Sequence, residues 1–157
     1  MASFIKAEHI NPFIGATIET FSSMVRTAIK PGKISLASQR TMPFDASGII
    51  GISGGAKGSV SLSFPKNSAL KIVSAFAGEE VKSLDSLVVD AIGELANIIV
   101  GYAKKDLIQY KINISLPTVV IGENHQLQGS REVTPILVPF DSDLGAFSLV
   151  VSFTSAI

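Results

Sequence analysis

At 157 residues, 46% of them hydrophobic, the chain suits one compact domain, residues 1–157, that buries roughly 70% of its unfolded surface. Thirteen Lys and Arg balance 13 Asp and Glu, so there is no basic footprint to hold a phosphate backbone, and nucleic acid is not an expected partner. No uninterrupted apolar run approaches the ~18 residues that cross a bilayer, MASFIKAEHINPF lacks the apolar core of a signal peptide, and the lack of cysteine excludes disulfides and thiolate catalysis; a cytoplasmic protein with no membrane insertion is expected.

Along the chain, Asn11 followed by Pro12 reads as an N-cap with proline at the first helical position. Phe13, Ile14, Thr17, Phe21, Met24, Val25 and Ile29 then recur at helical spacing, which predicts a first helix running to about Lys30 and stopped by Pro31 and Gly32. KISLAS, ASGIIGIS and SVSLSF are β-like, and the last two flank GGAKG, whose glycines suit a tight antiparallel hairpin. GGAKGS is not a phosphate-binding loop, because Ala56 stands where that pattern needs a glycine before the lysine. After Pro65, NSALKIVSAFAGEE predicts a helix ended at Gly78, and Asp85 is placed to cap a long helix. INISLPTVVIG, VTPILVPF and GAFSLVVSF return to strands, and Pro117 and Pro135 imply edge positions or bulges in the first two.

The order is helix, three strands, two helices, three strands. It predicts an α/β (α+β) domain in which an antiparallel sheet is backed by the two longer helices, built from two pseudo-duplicated halves of a helix plus three strands. A sequence echo supports the duplication: NPFIGAT from Asn11 and NIIVGYA from Asn97 align an asparagine and a glycine, and an ExxN pair occurs at Glu8 with Asn11 and again at Glu94 with Asn97. If Pro12 starts the first helix, Asn11 is a cap and Glu8 lies outside it. Only the second pair then shares a helical face.

That second pair lies in DAIGELANIIVGYAK, residues 90–104. At about 100° per residue, Asp90, Glu94, Asn97, Gly101 and Lys104 fall in one narrow stripe, while Leu87, Val88, Ala91, Ile92, Leu95, Ile98, Ile99, Tyr102 and Ala103 cover the remaining faces. Like charges at i and i+4 cost a few tenths of a kcal/mol, so stability does not recommend the placing of Asp90 and Glu94. On the residues alone, a solvated stripe is the commoner meaning of such a pattern. Elsewhere the sequence offers no serine, histidine and acid arrangement, and His9 and His125 have no companions at metal-ligand spacing.

LVVDAIGELANIIVGYAK, the start INPFIGA and the hairpin IIGISGGAKGSVSLSF together resemble the chemotaxis phosphatases of the CheC, CheX and FliY family, over nearly the whole chain. The family's motif is an acid or serine, then Glu, then Asn, spaced DxxxExxN; Asp90, Glu94 and Asn97 satisfy it, and PTVVIG follows as in the family. The resemblance is to the CheX type, with one site, since the first copy is interrupted by Pro12.

The resemblance implies hydrolysis of the aspartyl phosphate of a phosphorylated CheY-type response regulator, ending a chemotaxis signal. Asn97 and Glu94 are then the catalytic residues, Asn97 orienting the attacking water and Glu94 also pairing with a lysine of the partner. Gly101 keeps the stripe low for the partner's backbone, and Asp90 either supports the contact or is only solvated. No cofactor of its own is expected, Mg2+ being carried by the regulator, and a homodimer is expected. The alternative is a docking module that binds a regulator or a motor partner without turnover; a third reading is a structural dimer whose stripe merely faces solvent.

Overall fold

The computed structural model describes residues 7–36, 44–125 and 135–155. Helix α1, Ala7–Thr20, starts well before Pro12, which sits inside it. The expected cap at Asn11 is therefore wrong. Pro12 removes one backbone bond near the helix start, a local cost of about 3 kcal/mol. Packing outweighs it: His9, Ile10, Phe13, Ala16, Thr17 and Thr20 form a buried stripe, and each large apolar side chain buried contributes about 1.5–3 kcal/mol. His9 alone meets both the Tyr110 and Phe153 rings edge-on, each at 5.1 Å.

The helix also ends earlier than expected. A π-helical turn at Phe21–Val25 follows, closed by Arg26 in the left-handed region at φ 63° with its N–H bonded to the Phe21 carbonyl. Ile29–Pro31, expected to finish the helix, is instead strand β1, and Ser35–Leu36 is β2. Of KISLAS, residues 33–38, Lys33 and Ile34 lie in no strand and residues 37 and 38 fall outside the described residues.

Strands β3, Phe44–Gly54, and β4, Ala56–Phe64, form the expected antiparallel hairpin, but its turn is tighter than GGAKG implied. Gly54 takes φ +95°, and a Cβ there would come within 2.7 Å of the Lys111 carbonyl oxygen. Helix α2, Lys66–Ala77, ends at Gly78 in the left-handed region, as the sequence predicts. Asp85 caps α3, Ser86–Lys105, its carboxylate accepting from the Leu87 and Val88 N–H groups, and Lys104 and Lys105 complement the helix dipole at the far end. By length and composition α3 could cross a membrane, although no uninterrupted apolar run predicts it. Here its apolar side is packed in the core: Val88, Ile92, Leu95, Ile99 and Ala103 are fully buried.

The second half repeats the plan. A 3-10 turn at Ile108–Tyr110 leads to β5, Ile112–Ile114, and β6, Thr118–His125, with the break at Pro117; then come β7, Ile136–Ser142, and β8, Phe147–Ser155. Pro135 stands just before β7, which is interior, since β8 pairs on one side and β1 and β2 on the other. It marks neither an edge nor a bulge.

All pairings are antiparallel, in the order β1-β7-β8-β4-β3-β5, with β2 on β7 and β6 on β3. The two halves meet along β4 and β8, each nine residues long. Each half lends its outer strands to the other's hairpin: β1 and β2 edge β7, while β5 and β6 edge β3. One sheet face carries the core, with Phe147 stacked between Phe21 at 4.5 Å and Phe140 at 5.2 Å. Above it, α3 lies directly on β3 because residue 48 is glycine. A Cβ there would stand 3.0 Å from Ile92 Cγ2 and 3.2 Å from Ala96 Cβ.

Candidate functional site

With the opposite side of α3 committed to the sheet, its polar stripe faces outward. Asp90, Glu94 and Asn97 are exposed and Gly101 is half-buried. The stripe expected from the sequence is therefore brought together. Glu94 and Asn97 are neighbours on one face, their Cβ atoms about 5–6 Å apart by helix geometry. Among the described residues, no side-chain hydrogen bond or ion pair engages Asp90, Glu94 or Asn97. The Asn97 amide thus keeps both its donor and its acceptor for a ligand. A Cβ at Gly101 would meet nothing within 4 Å, so this part of the stripe is low and open.

Two elements flank the stripe. On one side, α1 packs against α3, and a cavity of about 290 Å³ opens between them, lined among others by Asn11, Gly15, Glu19, Tyr102 and Lys105. Tyr102, expected to be core, is 42% exposed, with Lys105 Nζ 5.0 Å from its ring centre. On the other side, Pro117 and the start of β6 close in: a Cβ on Gly93 would stand 3.4 Å from both Pro117 Cγ and Val119 Cγ2. Gly93 admits this chain's own proline and is buried, so it does not lower the stripe for a partner.

The early start of α1 changes the standing of the first ExxN pair. Glu8, Asn11 and Gly15 are all exposed on one helix, and Glu94, Asn97 and Gly101 each lie 86 positions after their counterparts. The sequence carried this signal in full; the proline rule obscured it. No acid corresponds to Asp90, whose counterpart is Phe4, outside the described residues. Among the described residues there is no group of three or more His, Asp or Glu side chains placed to hold a metal.

The model of the family described as Chemotaxis phosphatase CheX matches residues 46–141, more than half of the chain and all of α3. This chain belongs to the CheX family. A curated relative, the CheY-P phosphatase CheX of Thermotoga maritima, is 37% identical over 125 residues, which is 78% of this chain and 81% of the relative. Among solved structures, a CheC-like superfamily protein from Shewanella sp. PV-4 superposes with a TM-score of 0.89 at 32% identity, covering 96% of this chain and 100% of that one. The chemotaxis protein CheX of Vibrio vulnificus gives 0.87 at 30% identity, covering 94% and 100%. The helix with the open stripe therefore lies within the part of the chain that defines the CheX family.

Proposed function

We propose that this protein is a phosphatase that hydrolyses the aspartyl phosphate of a CheY-type response regulator. The observation that carries the reading is the unengaged pair Glu94 and Asn97 on the open face of α3, in a CheX-family chain whose Thermotoga relative is a CheY-P phosphatase. In the reaction, a water oxygen bonds to phosphorus while the acyl oxygen–phosphorus bond breaks. The electron pair leaves with the regulator's aspartate, and inorganic phosphate departs with the water's oxygen.

Asn97 supplies the positioning. Its amide oxygen accepts from the attacking water while its nitrogen donates to the phosphoryl group, holding the two in line; positioning is most of what phosphoryl-transfer catalysts contribute. Glu94, beside it, pairs with a cation of the regulator and so docks α3 over the phosphate; Gly101 lets the partner's backbone approach, and Asp90 extends the acidic end of the contact. Mg2+ belongs to the regulator, where it neutralises charge on the phosphoryl oxygens. The protein works as one domain, in the cytoplasm with its regulator, and as a homodimer.

The test is loss of phosphate from candidate CheY-type regulators with and without the protein. Faster loss is expected, whereas a docking module would bind and leave the decay rate unchanged.

A second reading concerns α1, favoured by the matched Glu8, Asn11 and Gly15 on an exposed face. In it, α1 carries a further stripe of the same chemistry. Asn11→Ala decides: partial loss of turnover supports a contribution from α1, and unchanged turnover confines the chemistry to α3.

A further inference from the structure

The outer strand beside β3 is interrupted. β5 pairs with Ile52–Gly54 and β6 with Phe44–Ile49, and between them the chain leaves the ladder at Ser115–Pro117. The excursion is held at every residue. The Ser115 N–H donates to the Gly51 carbonyl at 2.9 Å, the Gly51 N–H donates to Ser115 Oγ at 2.8 Å, and the Ser115 hydroxyl donates to the Leu116 carbonyl at 2.8 Å. Pro117 has a fixed φ and is seated on Gly93, the residue before Glu94 and one turn before Asn97. Leu116 therefore stands on a braced backbone at the margin of the α3 stripe.

Its side chain is 87% exposed. A lone exposed leucine is ordinary on a protein surface; its support and its place are what distinguish this one. The stripe beside it is polar, acidic at Asp90 and Glu94 and basic at Lys104, which confers orientation and encounter rate more than affinity. An apolar group already fixed in position loses little freedom on binding, so covering it contributes directly to affinity.

We propose that the regulator's footprint runs from the α3 stripe onto the Ser115–Pro117 connection, with Leu116 as its apolar anchor. The occupant is the regulator's receiver domain, through an apolar patch beside its phosphorylated aspartate. The inference rests on the reading of α3 as the regulator-docking helix, because the anchor is continuous with that contact.

The test compares the wild-type protein with Leu116→Ser and Leu116→Glu, titrated against the CheY-type regulator of the same organism loaded with beryllofluoride, and in parallel against the phosphorylated regulator. Both variants should fold with unchanged melting temperature, since the side chain touches little. The Kd and KM should rise about tenfold or more, as expected for an uncovered leucine, while kcat stays unchanged; Leu116→Met should restore most of the affinity. Unchanged Kd and KM overturn the proposal. So does a shift of the protein's own mass from dimer to monomer with regulator affinity intact, which assigns Leu116 to contact with a second copy. Affinity is read separately from turnover, so wild-type binding without faster phosphate loss sinks the phosphatase reading while the variants still decide the anchor. No binding by the wild type overturns both.

Discussion

Asn97 is the one side chain on the open stripe of α3 that can donate and accept at once, and it spends neither capacity inside the molecule. Losing one preorganised contact of this kind costs about 10²-fold or more in rate. Asn97→Ala should therefore bring regulator dephosphorylation close to its intrinsic decay, with regulator affinity nearly intact and folding unimpaired, alanine being the better helix former. Stopped-flow or radiolabel decay measures this; near wild-type turnover would remove the residue on which the mechanism stands, and turnover at about half would point to Asn11. Glu94 differs in kind, since a carboxylate beside a phosphoryl group repels it unless a partner cation intervenes. Glu94→Gln should weaken regulator binding several-fold, most at low salt, where the Debye length is long. If affinity held while turnover vanished, Glu94 would act in the chemistry and not in docking.

The α3 helix delivers these side chains only because of what lies beneath and before it. Gly48 allows the helix to rest on β3, and Gly48→Val would push its added methyl groups into Ile92 and Ala96, about 3 Å from the first added carbon. Overpacking of this kind costs about 1–3 kcal/mol, so thermal unfolding should move down by several degrees. Activity per folded molecule should fall as well, because the stripe is carried outward with its helix. Asp85→Ala removes the cap and should cost about 1 kcal/mol without altering the stripe. Signals of this local type were legible in the sequence: the Asp85 cap, the stop at Gly78, the hairpin glycines and the spacing of Asp90, Glu94 and Asn97 all depend on residues a few positions apart. What misled was tertiary. Pro12 reads as a helix start when propensity is weighed alone, yet burial of His9, Ile10 and Phe13 extends α1 through it. Nothing near Gly93 in the sequence announces that Pro117, 24 positions on, fills the space above it.

Across the whole molecule, the halves are joined by exchange, each hairpin being edged by strands from the other, so neither half keeps a complete sheet without its partner. This arrangement sets α1 and α3 side by side over one sheet face and leaves two outer edges of unlike character. One is blunted, β1 and β2 having three and two residues. The other is β6, eight residues long, for which β3 is the one strand partner among the described residues. An edge of that length with no second strand partner among the described residues offers backbone groups to another chain, and proteins seldom leave one uncovered. A homodimer is therefore expected at micromolar concentration, with light scattering giving twice the chain mass. Self-association at this edge need not close the α3 stripe, which lies on the helical layer and not in the sheet ladder. Dimer formation and turnover should accordingly separate: Asn97→Ala should leave the dimer mass unchanged, and a strictly monomeric wild type would overturn the dimer without touching the assignment of Glu94 and Asn97.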